Sequence, residues 1–240
     1  GIMTAEEIQT KADDSPLTAA DLASHQLIVD TLEQLTPDIP CLSEESKMPD
    51  PRTRQQWSRY WLIDPLDGTK EFIHQSPEFT VNIALMENNR PVLGVVYVPA
   101  EETLYLGAVG QGAKKRQGQS WQAIQARAFD PATSLKIVAS KRHGGEALEG
   151  YLNSLSTAYP HQQLVQVGSS LKFCWIAEGK ADLYPRFAPT CEWDTAAGHA
   201  ILEAAGGALL GMDGQPLTYN RRESLFSPDF YAIADHGHVL

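Results

Sequence analysis

Cysteine is scarce, basic residues are outnumbered, and no apolar run is long. The cysteines, 3 among 240 residues, are odd in number. Cys41, Cys174 and Cys191 show no CxxC spacing, which excludes a disulfide framework and fits a reducing compartment. None has a histidine base beside it in sequence, and Cys174, inside the apolar segment 171–178, reads as core. No stretch approaches the ~20 consecutive apolar residues of a membrane helix. The N-terminus lacks a signal-peptide pattern, so cytoplasm is the expected location. Peripheral contact with the cytoplasmic face of the inner membrane stays open, although no basic amphipathic segment is present to support it. Lys and Arg number 19 against 30 Asp and Glu, a formal charge of −11. That balance argues against a nucleic-acid polymer as partner, because polymer binding rests on basic patches that neutralise phosphates. A small phosphorylated substrate remains compatible, since bound metal ions can supply positive charge.

What is present is ordinary globular composition, 42% hydrophobic and 20% charged, enough for one large or two small domains. The chain opens on Gly1-Ile2-Met3 with no helix or cap ahead, which reads as a trimmed start. Leu22, His25, Ile28, Val29, Leu32 and Leu35 follow a helical period over residues 21–35, ending before Thr36-Pro37. Residues 59–63, 78–86, 91–98 and 103–106 read as strands, with Glu87-Asn88-Asn89-Arg90 as a hairpin connection and residues 107–118 as a glycine-rich turn region. After Asp130-Pro131 strand and helix alternate. Strands are expected at 136–139, 163–167 and 181–184, and helices at 144–155, 171–178 and 195–205. This predicts an α/β fold with an α+β N-terminal half, residues 1–130, and an α/β C-terminal half, residues 131–240.

The chemistry concentrates in Trp61-Leu-Ile-Asp64-Pro65-Leu66-Asp67-Gly68-Thr69. A strand ends in a carboxylate, Pro65 fixes the backbone, and Asp67 follows ahead of a glycine and a hydroxyl. Hard cations such as Mg²⁺ want carboxylates and substrate phosphate oxygens, and this turn can aim both aspartates and the Leu66 carbonyl at one point. A plain Asp-Pro-Gly turn accounts for the run equally well. Ser43-Glu44-Glu45-Ser46 adds adjacent carboxylates at the end of another apolar segment. Glu192-Trp193-Asp194-Thr195 sets Asp194 as the expected N-cap of a helix, and Asp21 is a second N-cap candidate. Three acidic clusters at the ends of elements favour a shared metal site. Gly168-Ser169-Ser170-Leu171-Lys172 introduces one more helix with hydroxyls, free amides and a cation, suited to capping or to a phosphate contact.

The Asp64–Thr69 run, Trp193-Asp194-Thr-Ala-Ala-Gly198 and the upstream Glu pair together resemble the signature of the inositol monophosphatase superfamily. Within it, Lys70-Glu71-Phe72, Ser43, residues 14–21, Gly168–Cys174 and Leu183-Tyr184-Pro185-Arg186-Phe187 resemble the 3′(2′),5′-bisphosphate nucleotidase branch of the CysQ type. The resemblance spans about Asp14 to Gly207. It implies a layered α-β-α-β-α sandwich and a lithium-sensitive, Mg²⁺-dependent phosphatase. Two or three Mg²⁺ would be held by Glu45, Asp64, the Leu66 carbonyl, Asp67 and Asp194, of which all but Asp64 also face the substrate. Thr69 with Asp21 would orient and deprotonate the attacking water, and the amides of Gly68 and Thr69 would hold the scissile phosphate. Ser169, Lys172 and Arg186, with His143, would hold the nucleotide. The implied substrate is adenosine 3′,5′-bisphosphate, with 3′-phosphoadenylyl sulfate alongside it, which places the activity in sulfur metabolism. An inositol phosphatase or fructose-1,6-bisphosphatase of the same fold is the nearest alternative, and a non-catalytic metal- or nucleotide-binding protein a remoter one. Two departures stand out: the helix expected ahead of the Asp21 motif is shortened or missing, and Glu192 adds a carboxylate read as facing solvent. Oligomeric state is not legible.

Overall fold

The computed structural model describes residues 8–10, 16–130, 133–140, 145–235 and 237. His143 and the Asp14-Ser15 part of the signature lie outside them. After a short ribbon of β1 (Ile8–Thr10) and β2 (Pro16–Thr18) comes helix α1 (Ala19–Leu35). A seven-stranded sheet follows in sequence order: β3 (Cys41–Ser43), β4 (Arg59–Asp67), β5 (Thr80–Glu87), β6 (Arg90–Val98), β7 (Thr103–Ala108), β8 (Gly112–Gln117) and β9 (Ser120–Ile124). Short helices α2 (Pro51–Arg54) and α3 (Thr69–Ile73) flank β4. Only β3 runs parallel to its neighbour β4, and the rest is an antiparallel meander. The β5–β6 link is the expected hairpin. Asn88 and Asn89 take φ of 48° and 65°, the left-handed pair that a two-residue turn needs and that asparagine tolerates.

The second sheet has five strands in the order β11-β10-β12-β14-β13. These are β10 (Leu135–Ala139), β11 (Gln162–Gln166), β12 (Leu183–Arg186), β13 (Ala208–Gly211) and β14 (Phe230–Ile233). Helices α4 (Gly145–Leu155), α5 (Leu171–Ala177) and α6 (Glu192–Ala204) complete the fold. α1 lies on β3 and β4, while α6 packs under β4 to β8 on the opposite face and against α5. One core unites the inner face of the first sheet with α5, α6 and strands of the second. A separate apolar cluster joins Leu155 and Tyr151 of α4 to Ile137, Leu183 and Ile233. The layers therefore run α-β-α-β-α. Among the described residues no helix is long and apolar enough to cross a membrane.

The stretch 107–118, expected as a turn region, is instead the end of β7 and most of a β8–β9 hairpin. Nearly all of β8 and β9 is solvent-exposed, so the pair carries no apolar alternation for a sequence pattern to show.

One row of the first sheet explains how close α6 can come. Leu62, Ala84, Gly94, Gly107 and Ala113 lie side by side across β4 to β8. The small residues in it form a trough. A Cβ on Gly94 would sit 2.2 Å from the Ala197 carbonyl oxygen, and one on Gly107 2.5 Å from the Ile201 Cα. Both obstacles are helix backbone, which cannot step aside. Substituting Gly94→Ala is expected to lower the stability read by urea unfolding by about 1–3 kcal/mol, the range for an overpacked core. An unchanged midpoint would show that α6 does not depend on this trough.

Candidate active site and family

The register of β4 makes the centre of the site. Asp64 pairs with Asn82 and Asp67 with Thr80, so β4 advances by one residue more than β5 between them. In a regular strand, residues three apart point to opposite faces. The extra residue at Pro65-Leu66 is a bulge that returns Asp67 to the side of Asp64. The Asp64 Oδ1 accepts the Leu66 N–H at 3.0 Å, which fixes the kink. Gly68, with φ +89°, then turns the chain into α3.

Asp21 and Asp194 reach the site by a shared local device. Neither is the N-cap expected of it. Thr18 caps α1 and Cys191 caps α6, and each aspartate occupies the third helical position of a capping box. There one carboxylate oxygen folds back to the cap: Asp21 Oδ2 accepts from Thr18 N and Oγ1 at 2.8 and 2.5 Å, and Asp194 Oδ2 accepts from Cys191 N at 3.0 Å. The other oxygen is left facing outward. For Asp21 it is Oδ1, which lies 3.2 Å from the Thr69 hydroxyl. That hydroxyl is also 3.2 Å from the Leu66 carbonyl.

Asp64, Asp67 and Asp194 each offer one oxygen within 4.8 Å of the others. Asp67 and Asp194 border a cleft of about 540 Å³ that is also lined by Glu44, Gly68, Thr69, Ser169, Lys172, Tyr184 and Arg186, while Asp64 is buried beside them. The acid that joins them from the Glu44-Glu45 pair is Glu44. It lines the cleft and is hydrogen-bonded to Asp64. Glu45, the expected ligand, is not part of the lining. Register brings Glu44 there: it directly follows β3 and donates its N–H to the Ile63 carbonyl, beside Asp64 on β4. Adjacent identical residues gave the sequence no means to choose between them.

The electrostatics of this cluster are those of a site built for a cation. Burial and the neighbouring carboxylates of Glu44, Asp67 and Asp194 push Asp64 well above the usual carboxylate range. Burial and the charges of Asp67 and Glu44 do the same to Asp194. Such packed, desolvated anions fit a hard divalent cation with oxygen ligands. Two buried cations line the same cleft. Lys172 donates to the carbonyls of Val167 and Ser169 at 3.2 and 2.7 Å and lies over the Tyr184 ring. Burial pushes it down to about 8. Arg186 donates to the Ala188 and Pro189 carbonyls and the Thr190 hydroxyl. These partners are neutral and leave the positive charge available to an anion.

Glu192, read as facing solvent, is only 1% exposed. It accepts the Asn220 N–H at 2.7 Å, pairs with Arg222, and is pushed up to about 7 by burial. It ties the start of α6 to the segment that carries Asn220 and Arg222.

Residues 3–236 match the inositol monophosphatase family. The chain belongs to that family. It is 50% identical over 224 residues to the 3′(2′),5′-bisphosphate nucleotidase CysQ of Escherichia coli K12, covering 93% of this chain and 87% of the relative. Among solved structures it is similar to CysQ from Bacteroides thetaiotaomicron, with a TM-score of 0.83, 44% identity, and coverage of 93% and 86% of the two chains. It also resembles an inositol monophosphatase from Anabaena, with a TM-score of 0.71, 28% identity, and coverage of 91% and 82%. Members of the family are metal-dependent, and the acidic cluster meets that requirement here.

In the metal-free protein the raised Asp64 and Asp194 set a pH dependence. A carboxyl whose folded pKa lies above its unfolded one contributes most at low pH and loses that contribution as pH climbs through the folded value. The metal-free melting temperature is therefore expected to rise as pH is lowered from about 8 towards about 5. Substituting Asp64→Asn removes one buried charge and should raise the metal-free melting temperature near neutral pH by about 2–4 °C, the shift that about 1 kcal/mol produces at this size. A lower melting temperature for that variant would refute the repulsion.

Proposed function

We propose that this chain is a Mg²⁺-dependent 3′(2′),5′-bisphosphate nucleotidase that releases the 3′-phosphate of adenosine 3′,5′-bisphosphate as inorganic phosphate, leaving AMP. The observation that carries this reading is one cleft lined both by members of an acidic cluster and by two buried cations with neutral partners. A monophosphate needs the first. A second anionic group on the same substrate, such as a 5′-phosphate or its sulfated form, calls for the other. Relatives named as nucleotidases at half identity support the same substrate class.

Glu44, Asp64, Asp67, Asp194 and the Leu66 carbonyl are the residues placed to hold two or three Mg²⁺. When bound, the ions neutralise phosphate charge and lower the pKa of a coordinated water. The protein's own part begins at Thr69. Its hydroxyl proton has two acceptors at equal distance, Asp21 and the Leu66 carbonyl. The charged one is the stronger. With its proton directed to Asp21, the Thr69 oxygen presents a lone pair to water, so water's proton passes to Thr69 while Thr69's own passes to Asp21. Asp21 is held for this by its two bonds from Thr18. The amides of Gly68 and Thr69 face the scissile phosphate at the turn into α3. Lys172, Arg186 and Ser169 hold the far phosphate and ribose, and burial among neutral partners keeps the two cations from collapsing onto surface carboxylates.

Phosphate release from adenosine 3′,5′-bisphosphate, measured beside inositol 1-phosphate and fructose 1,6-bisphosphate, tests the reading. Strong preference for the nucleotide is expected, with loss of activity in a chelator. Preference for a sugar phosphate would keep the metal site and overturn the substrate, and binding without turnover would make the chain a non-catalytic member. Asp67→Asn should cost orders of magnitude in kcat with the fold intact, whereas near-normal turnover would remove Asp67 from the site. Lys172→Met should raise KM for the nucleotide about 10–100-fold, the worth of one charged hydrogen bond, and leave turnover of inositol 1-phosphate unmoved. Because the Lys172 charge is lost above a pKa of about 8, wild-type KM should climb above that pH and that of the Met variant should not.

A further inference from the structure

Asp67 has no capping box to hold it, yet one of its oxygens is as fully engaged as those of Asp21 and Asp194. Oδ2 of Asp67 accepts the Ser170 N–H at 2.6 Å and lies 2.7 Å from the Ser170 hydroxyl. Among the described residues no hydrogen bond reaches its Oδ1, which keeps that oxygen's lone pairs for the cluster. The same Ser170 hydroxyl lies 2.5 Å from the backbone carbonyl of Asp194 and receives a hydrogen bond from Asn82 Nδ2 at 2.8 Å. By position Ser170 is the N-cap of α5, but its side chain makes no capping bond to that helix. Its polar contacts run to the two chain segments that carry Asp67 and Asp194, and to Asn82, the strand partner of Asp64.

We propose that Ser170, seated by Asn82, is a positioning residue for the metal site. It fixes the distance between the Asp67 turn of the first sheet and the first turn of α6, and it commits Oδ2 of Asp67 to the protein. The physical need is specific. Asp67 and Asp194 sit on elements far apart in sequence, and their charges repel within the cluster. Without a cation, something must hold them at coordination range. Ser170 can do so with two donors: its backbone N–H goes to Asp67 Oδ2, which leaves its single hydroxyl proton for the Asp194 carbonyl. Asn82 supplies the incoming donor that leaves the Ser170 proton free for that carbonyl. Both side chains are buried, at 2% and 0% exposure, so water does not substitute for them.

This inference rests on the metal-site reading above, and the test separates the two. Mn²⁺ binding, followed by the loss of the free-ion electron paramagnetic resonance signal, is measured on the whole chain without substrate. No binding by the wild type would overturn the metal site and this inference with it. Given wild-type binding, Ser170→Ala should weaken Mn²⁺ about 10–100-fold, the usual cost of losing a partner that orients a metal ligand, with a metal-free melting temperature close to wild type. Ser170→Thr, which keeps the hydroxyl, should recover most of the affinity. Activity should show the same order as a higher Mg²⁺ requirement with KM for nucleotide little changed. Wild-type Mn²⁺ affinity in Ser170→Ala overturns the proposal, and so does an equal loss in a folded Ser170→Thr. Should Ser170→Ala not fold, Asn82→Ser decides. It removes the bond to Ser170 and a longer one, 3.4 Å, to Asp67 Oδ2, and should weaken Mn²⁺ about 2–10-fold; wild-type affinity there overturns the role.

Discussion

The site depends on holding like charges together in a place where water cannot screen them. Asp64 and Asp194 are buried deeply enough that their own charge is unfavourable, and each lies in the field of the others. The fold answers with hydrogen bonds that seize one oxygen of each carboxylate. Leu66 N–H holds Asp64, Thr18 holds Asp21, Cys191 N–H holds Asp194, and Ser170 holds Asp67. In each case the donor includes a backbone amide that needs an acceptor at a helix start or a bulge. The same bonds that finish the local structure therefore aim the second oxygen.

Those local devices share a cleft because of a coarser constraint, the distance between α6 and the first sheet. Gly94 and Gly107 let the helix backbone lie against the strands, and the first turn of α6 then brings Asp194 beside Asp64 and Asp67. The cations of the cleft come from the second sheet, whose β12 ends in Arg186, and from α5, whose first turn carries Lys172. The cleft thus combines carboxylates from both halves of the chain with two cations from the second half. That combination suits a substrate with two anionic groups, one met through metal ions and the other directly by side chains.

Much of this was legible in the residues. The Asp64–Thr69 run carried its own geometry, because a proline, a glycine and two aspartates at that spacing admit few backbone paths. The Asn88-Asn89 hairpin and the helical period of α1 were equally plain. Legibility failed where the deciding contact lies across the fold. Glu44 and Glu45 are identical neighbours, and only the pairing of β3 with β4 selects the first. Asp21 and Asp194 look like N-caps, since aspartate serves well at either the cap or the third helical position. Glu192 looks like a surface charge because its partners, Asn220 and Arg222, are remote in sequence. Ser170 gave no signal apart from its neighbour Ser169.

The sequence by itself determined α1, the β5–β6 hairpin, the strand–helix alternation after Asp130, the order of the acidic motifs and the family to which they belong, since these rest on contacts within a few residues of one another. The tertiary structure alone decided which carboxylates meet, which oxygen each presents, and that a serine at the head of α5 ties two of them together. Those outcomes are set by strand register and helix–sheet distance, which arise from side chains packing across more than a hundred residues of chain.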